Sequence, residues 1–212
     1  MLKYKIYKKS IDAQWVTFIH GAGGSSKIWF KQIKAFTANY NVLLIDLRGH
    51  GESKGLFETV KQYSFRCISE DVIDVLDFLK IKESHFVGIS LGTIIIRNIA
   101  EIQPSLVKSM IMAGAILKFN LMSQILMRLG YILHRVLPHM AIYKSFALII
   151  LPRRKHKSSR NVFVNEAKKL FRKEFIRWYK LTSDVNPLLR SFRRKKINKP
   201  SLFIMGGEDY MF

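Results

Sequence analysis

The chain has 212 residues, enough for one sizeable α/β domain or two small ones, and its hydrophobic content of 49% excludes a disordered chain. Its single cysteine, Cys67, excludes a disulfide framework and fits a reducing compartment. The net charge of +21 is uneven, because residues 118–199 hold 21 Lys and Arg against three acidic residues, while the rest of the chain holds 15 against 12. This asymmetry predicts that residues 118–199 are a separate structural unit.

Neither a secretory signal nor a membrane-spanning helix is indicated. Residues 1–9 alternate basic and apolar side chains and lack the apolar core of a signal peptide. The apolar stretches of residues 116–151 are interrupted by Lys118, Arg128 and Lys144, and none reaches the ~18 uninterrupted apolar residues of a spanning helix. We therefore expect a cytoplasmic protein that is at most peripheral to a membrane.

The first predicted elements are three strands and a helix. Residues 2–8 alternate apolar and basic side chains, which is typical of a half-exposed edge strand. Residues 15–19 and 41–47 are mostly apolar and predict buried strands. Between these two strands, Ser26 can cap a helix over residues 27–38, whose apolar side chains recur at helical spacing.

The next segments continue the alternation of helix and strand. Residues 64–80 predict a helix with apolar side chains inward and acidic side chains, Asp71 among them, facing water. Residues 85–87 and 107–113 predict strands, and residues 93–100 predict a helix that is buried on most faces. Helices alternating with apolar strands predict a mostly parallel sheet that is covered on both faces.

After this strand the pattern becomes helical and basic. Residues 117–137 place an apolar side chain at every fourth position, as an amphipathic helix does. A second apolar piece lies between Pro138 and Pro152, and a third helix is predicted over residues 162–180. Residues 201–205 resume the apolar pattern of a strand, so the helical segment is inserted between two strands of the sheet.

We predict that residues 1–116 and 200–212 form the core and that residues 117–199 form a basic helical insertion. Its positive surface is either a solvated face or a surface that docks on anionic lipid or admits an anionic substrate. Near an anionic membrane each basic residue contributes ~1 kcal/mol to binding. Nucleic acid is a less favoured partner, because the aromatic side chains of the insertion have the spacing of a buried helix face.

Residues 88–92, Gly-Ile-Ser-Leu-Gly, carry the clearest chemical signal and lie between a predicted strand and a predicted helix. A serine on such a sharp turn has a strained backbone, and the residues two before and two after it must lack side chains to avoid a collision. Gly88 and Gly92 meet that requirement around Ser90. Alone, the pattern fits either a catalytic serine turn or an ordinary glycine-rich turn between a strand and a helix. The motifs in other loops distinguish these two interpretations.

Residues 20–26, His-Gly-Ala-Gly-Gly-Ser-Ser, form a second glycine-rich loop directly after a predicted strand. Glycines there let backbone amides approach a ligand closely. A nucleotide site is excluded, because the loop lacks the third glycine of the dinucleotide fingerprint and the Gly-Lys-Ser/Thr of a P-loop. We expect neither a cofactor nor a metal ion.

Four motifs follow one another along the chain: residues 20–23 (His-Gly-Ala-Gly), 46–53 (Asp-Leu-Arg-Gly-His-Gly-Glu-Ser), 88–92 and 206–209 (Gly-Gly-Glu-Asp). In this order, between these elements, they resemble the α/β-hydrolase fold family, in particular its single-domain serine esterases and lipases. The resemblance covers essentially the whole chain. It implies a doubly wound, mostly parallel α/β sheet with a helical cap insertion over the active site.

The resemblance also implies a chemistry, the hydrolysis or transfer of an acyl group through a serine nucleophile. Ser90 would attack the carbonyl carbon, and the backbone amides of Leu91 and Ala22 would bind the oxyanion. Asp209 is the acid that the chain order of the family implies, with Glu208 as the fallback. The substrate would be a carboxylic ester or a related small acyl compound, as in esterases and lysophospholipases.

The histidine that the family places after the acid has no counterpart here. All six histidines lie upstream of Asp209: His20, His50, His85, His134, His139 and His156. We therefore expect that the chain is truncated before the last strand, the last helix and the general base. Such a chain would show little or no esterase activity and poor solubility, because the strand at 201–205 becomes an exposed apolar edge. The alternative is a non-catalytic protein of this fold that binds an anionic membrane or nucleic acid.

Overall fold

A mixed six-stranded β-sheet is the centre of the computed structural model, which describes residues 1–56, 63–118, 121–133 and 136–207. The strands of these residues are β1 (Lys3–Tyr7), β2 (Trp15–Ile19), β3 (Asn41–Asp46), β4 (Ser84–Ile89), β5 (Val107–Ala113) and β6 (Ser201–Ile204). Their order is β1-β3-β2-β4-β5-β6, in which β1 is antiparallel to β3 and every other neighbouring pair is parallel. The predicted mostly parallel α/β architecture is confirmed.

Eight α-helices surround the sheet in the part of the chain that the structure describes: α1 (Phe30–Thr37), α2 (Phe65–Phe78), α3 (Leu91–Ile102), α4 (Leu121–Leu133), α5 (His139–Ile150), α6 (Lys157–Ala167), α7 (Arg172–Lys180) and α8 (Thr182–Arg194). Helices α4 to α8, here called the insert, lie between β5 and β6 in the chain. A 3-10 turn, Ser26–Trp29, precedes α1, and its cap is Ser25 rather than Ser26, with the Ser25 hydroxyl accepting from the Lys27 amide at 3.3 Å.

The sheet is covered on both faces because neighbouring side chains of its central strands enter two different hydrophobic clusters. Ile19 of β2 packs on the face covered by α2 and α3, where Ile68 and Ile95 are fully buried. Phe18, the residue before it, packs on the opposite face against Trp29, with ring centroids 5.0 Å apart. Alternation along a strand that is buried on both sides therefore explains why four of the five residues of β2 are apolar.

The insert has a hydrophobic cluster of its own, formed by side chains of α5, α6 and α7. The single helix predicted over 162–180 is wrong, because the chain is interrupted between α6 and α7. At Phe171 the backbone is extended, with φ −69° and ψ 146°. The interruption lets Leu170, before it, and Phe175, after it, both enter the cluster.

Helix α4 has the predicted four-residue spacing of apolar side chains, but this apolar face is not buried. Its apolar side chains at every fourth position are exposed, among them Leu121 at 74%, Ile125 at 45% and Leu129 at 48%. None of the described helices combines the length and the hydropathy that a bilayer crossing requires. The four-residue spacing therefore identified the helix correctly but not the direction of its apolar face.

Asp71 of α2 is a correction to the sequence interpretation, which placed it in water. It is buried and forms a two-point ion pair with Arg48, in which the Arg48 Nη2 donates to Asp71 Oδ1 at 2.8 Å. Burial disfavours the charged carboxylate and so raises the pKa of Asp71, while the positive charge of Arg48 acts in the opposite direction. The pair ties the loop after β3 to helix α2.

Candidate active site

Ser90 occupies the turn between β4 and α3 in a conformation that L-residues rarely adopt. Its backbone has φ 52° and ψ −121°, so the residue is strained. The neighbouring structure holds it there, because its amide donates to the Ala113 carbonyl at 2.9 Å and its carbonyl accepts from the Thr93 hydroxyl at 2.6 Å. The strain presents the side chain at the end of the strand, above the first turn of α3.

The two glycines that flank this turn are required by close contacts rather than by their own backbone angles. A Cβ atom at Gly92 would lie 2.4 Å from the Ile19 carbonyl oxygen, which belongs to the neighbouring strand β2. A Cβ atom at Gly88 would lie 2.5 Å from the tip of Ile96 and 3.1 Å from the backbone of Gly92. The strand, the turn and the helix therefore approach one another more closely than any side chain permits.

The loop after β2 runs directly beside Ser90. A Cβ atom at Gly21 would lie 3.3 Å from the Cβ of Ser90 and 3.8 Å from its Oγ. Within the described residues, the amides of Ala22 and Leu91 donate no hydrogen bond to another protein group, and both residues line the same cavity as Ser90. Leu91 opens helix α3, where the first amides have no partner within the helix. Two unpaired donors beside a serine can bind a developing negative charge.

Two buried histidines connect this loop to the loop after β3 by reciprocal hydrogen bonds. His20 Nε2 accepts from the Leu47 amide at 3.0 Å, and its Nδ1 donates to the Gly21 carbonyl at 2.7 Å. His50 Nε2 accepts from the Gly23 amide at 2.9 Å, and its Nδ1 donates to the Arg48 carbonyl at 2.8 Å. Each ring therefore reaches from its own loop to the backbone of the other, with 5.0 Å between the ring centroids.

Burial keeps both rings neutral. Burial lowers the pKa of His20 to about 4, with the Gly21 carbonyl and Glu166 acting against it. Burial and the neighbouring His20 ring lower the pKa of His50 to about 3. Because both nitrogens of His50 are already engaged, this ring is a positioning residue for the loop that carries Ala22.

The insert contacts the loop after β2 and the loop after β3 through polar groups. The Ser25 hydroxyl donates to Glu166 of α6 at 2.7 Å, and the Trp178 indole of α7 donates to the Arg48 carbonyl at 3.0 Å. Glu174 of α7 is buried and hydrogen-bonded to the Tyr63 hydroxyl. These contacts hold α6 and α7 over the ends of β2 and β3.

A cavity of about 170 Å³ lies between these loops and the insert. Ala22, His50, Ser90 and Leu91 line it from the sheet side. Its opposite wall is mostly aromatic and comes from α5, α6 and α7: Tyr143, Phe146, Phe163, Phe175, Trp178 and Tyr179. The site therefore joins the Ser90 hydroxyl and the amides of Ala22 and Leu91, unpaired among the described residues, to an apolar compartment.

Of the other residues singled out in the sequence, three are not described by the structure and His85 lies away from the cavity. Asp209, Glu208 and His134 fall outside the described residues. His85 begins β4 at the end opposite Ser90, where its ring bonds to Ser109 at 2.7 Å. Among the described histidines, His50 is the one that lines the cavity with Ser90.

Two residues of the insert that belong to the surroundings of Ser90, Tyr143 and Glu174, were not identified from the sequence. Tyr143 lies in a mostly apolar helix, so its spacing gave no sign that its hydroxyl lies against Gly23 of the loop beside Ser90. Glu174 is one of the three acidic residues in the basic segment, and that scarcity was the only available signal.

Comparisons with known proteins agree with this geometry. A family model described as "alpha/beta hydrolase fold" matches residues 14–149. The chain is similar to 3-oxoadipate enol-lactonase 1 of Acinetobacter baylyi, at 35% identity over 81 residues, which are 38% of this chain and 29% of the relative. It is also similar to (E)-2-((N-methylformamido)methylene)succinate hydrolase of the same organism, at 27% identity over 112 residues, 53% of this chain and 41% of the relative. The chain thus spans less than half the length of these curated relatives.

Solved structures support the fold over nearly the full length. Est816, described as an N-acyl homoserine lactone degrading enzyme, superimposes with a TM-score of 0.79 over 99% of this chain and 79% of that one. The sequence identity is 22%, so this likeness bears on the fold alone.

Proposed function

The chain belongs to the α/β-hydrolase fold family, and from this premise we propose that it is a serine hydrolase that cleaves a carboxylic ester or related acyl compound with Ser90 as nucleophile. The observation that carries the proposal is the strained turn at Ser90, which lies on an apolar cavity beside the unpaired amides of Ala22 and Leu91. A fold of this kind serves many chemistries, so the assignment rests on the site rather than on the fold.

The proposed reaction begins when the Ser90 oxygen forms a bond to the carbonyl carbon of the substrate. The carbonyl electron pair moves onto its oxygen, where the amides of Ala22 and Leu91 stabilise the charge. The bond to the leaving alcohol then breaks, and the proton lost by Ser90 ends on that alcohol. Water hydrolyses the acyl-serine in a second step of the same form, which releases the acid and restores the hydroxyl.

A proton carrier is needed in both steps, and the resemblance assigns that role to a histidine oriented by an acid. We propose Asp209 as that acid, with Glu208 as the fallback, because residues 206–209 follow β6 in the order of the family. His50 does not serve as the carrier in this arrangement, since its two nitrogens bind Gly23 and Arg48.

The insert is proposed to act as a cap that selects the acyl group. Its aromatic wall offers apolar surface and no charged side chain to the cavity. At about 170 Å³ the cavity is close to the volume of about 150 Å³ that holds a benzene molecule in an engineered protein cavity. We therefore propose an uncharged, compact acyl group, such as a short chain or a ring, in preference to a long acyl chain.

Reaction with a fluorophosphonate probe tests the proposed nucleophile. In the protein expressed to its natural stop codon we expect a covalent adduct on Ser90, located by mass spectrometry of the peptides, because the probe's phosphoryl oxygen occupies the same site as the oxyanion. Ser90→Ala should abolish the adduct, while Ser183→Ala, which removes an exposed hydroxyl on α8, should not change it. A wild-type chain that carries no adduct at Ser90 would contradict the proposal and favour a non-catalytic protein of this fold.

We also propose that α4 docks on an anionic membrane surface. The exposed side chains of Leu121, Ile125 and Leu129 form an apolar face in a segment, residues 117–151, that contains basic residues and no acidic ones. An apolar face with cations beside it matches the physics of interfacial binding, in which apolar insertion and attraction to anionic headgroups add together.

Co-sedimentation with lipid vesicles tests this second proposal. We expect the chain to pellet with anionic but not zwitterionic vesicles at moderate salt. The double substitution Leu121→Asp, Ile125→Asp should release it, whereas Ile11→Asp, at an exposed apolar residue outside the insert, should leave pelleting unchanged. Equal failure with both kinds of vesicle would refute the proposal, and displacement of the bound chain by RNA would point to a nucleic-acid surface instead.

A further inference from the structure

Tyr143 places a hydroxyl from the insert against the loop beside Ser90. A Cβ atom at Gly23 would lie 1.8 Å from the Tyr143 oxygen and 2.5 Å from the ring carbon that carries it. Gly23 follows Ala22 directly and has φ 72°, which favours glycine in any case. The loop therefore leaves room for this hydroxyl at the point where it turns past the cavity.

The Tyr143 hydroxyl has no hydrogen-bond partner within the part of the chain that the structure describes. Tyr143 is 8% exposed, no described residue forms a hydrogen bond with its oxygen, and the residue lines the cavity together with Ser90, Ala22 and Leu91. An unpaired donor at a cavity is suited to a ligand, because an acceptor placed against it gains a hydrogen bond. Burial also raises the pKa of Tyr143, so the oxygen keeps its proton and can donate.

Packing fixes the position of this ring. Phe163 of α6 and Phe175 of α7 contact it, with centroids at 5.1 Å and 5.6 Å respectively. The hydroxyl is therefore held by three helices of the insert, whereas the amides of Ala22 and Leu91 are held by the sheet. A donor that is already oriented loses little freedom when a charge develops next to it.

We propose that the Tyr143 hydroxyl is a third donor to the carbonyl oxygen of the substrate, completing from the insert an oxyanion site that the sheet begins with Ala22 and Leu91. This inference rests on the proposed serine chemistry and adds to it a catalytic residue from outside the sheet. It also limits the substrate, because the carbonyl oxygen must reach between α5 and the loop of residues 20–24 while the acyl group enters the aromatic compartment.

The rate of adduct formation by a fluorophosphonate probe tests the role of this hydroxyl. Tyr143→Phe removes one oxygen and keeps the ring, so we expect the second-order rate at Ser90 to fall between about 10-fold and 100-fold, the effect of losing one hydrogen bond to a charged group. Tyr40→Phe is the matched control, because it removes a tyrosine hydroxyl far from the cavity, beside His85 at the end of the sheet opposite Ser90. Its rate should stay within about twofold of the wild type.

Thermal unfolding separates a chemical role from a structural one. Because the hydroxyl has no partner among the described residues, Tyr143→Phe should leave the melting temperature unchanged or raise it. A rate equal to the wild type in a Tyr143→Phe protein that is still labelled at Ser90 would overturn this inference and leave the proposed function standing. A lower rate accompanied by a lower melting temperature would also overturn it, since the hydroxyl would then be structural. Absence of labelling in the wild type would overturn both proposals.

Discussion

Gly92→Ala is expected to destabilise the chain by at least about 3 kcal/mol, a large part of the 5–15 kcal/mol that is typical of a folded domain (about 0.1 kcal/mol per residue). The added Cβ would lie 2.4 Å from the Ile19 carbonyl oxygen and 2.9 Å from that of His20. Neither atom can move easily, because β2 is hydrogen-bonded to β3 on one side and to β4 on the other. The measurement is the free energy of unfolding from denaturant titration.

Two other glycines provide graded comparisons for this experiment. At Gly88 the nearest atom is the flexible tip of Ile96, so Gly88→Ala should cost less, about 1–2 kcal/mol. At Gly206 nothing lies within 4 Å of the added atom, so Gly206→Ala should change stability by no more than about 0.5 kcal/mol. If Gly92→Ala unfolded at the same denaturant concentration as Gly206→Ala, the close approach of turn and strand would be refuted.

Acidification is expected to destabilise the protein strongly, and the reason is the pair of buried histidines. Folding lowers the pKa of His20 from 6.5 to about 4 and that of His50 from 6.5 to about 3. Below pH 6.5 the unfolded chain therefore binds two protons that the folded chain excludes, so stability falls as the pH falls. Each ring contributes about 1.4 kcal/mol per pH unit, which amounts to a loss on the order of 5 kcal/mol between neutral pH and about pH 4.5.

Urea titrations across this pH range measure the effect. His50→Gln retains a side-chain group that can bond to the Gly23 amide but cannot be protonated, so we expect it to reduce the slope of stability against pH by about half. His139→Gln is the control, because His139 is only partly buried and its pKa is lowered less by its surroundings than a fully buried ring. The nearby carboxylates Glu166 and Asp46 oppose the shifts. A slope that His50→Gln leaves unchanged would contradict the assignment of a neutral, buried ring.

Much of the sheet and of the turn at Ser90 was predictable from local pattern. Strands that are apolar at every position predict burial on both faces, and glycines two residues before and after a serine predict a turn in which three elements meet closely. The close contacts at Gly88 and Gly92 are the reason why glycine is required at these two positions. Both signals are local, because each depends on residues that are neighbours in the chain.

The insert shows what the local sequence pattern does not predict, which is the side of each helix that becomes buried. The spacing of apolar residues in α4 is the same whether the face is buried or exposed, and only packing decides that Leu121 and Leu129 are exposed while Phe175 of α7 lines the cavity. Asp71 was likewise assigned to water from its place on a helix, although Arg48, 23 residues earlier, accounts for its burial.

The sequence by itself therefore determined the family, the sheet and the serine with its two flanking glycines, since these depend on short stretches with strict steric requirements. Only the tertiary structure decided which parts of the insert face Ser90. The two histidines that connect the loops and the Tyr143 hydroxyl beside Gly23 lie 27 and 120 residues from their partners, respectively. Contacts across such distances leave no periodic trace in the chain, because they arise from how whole helices pack.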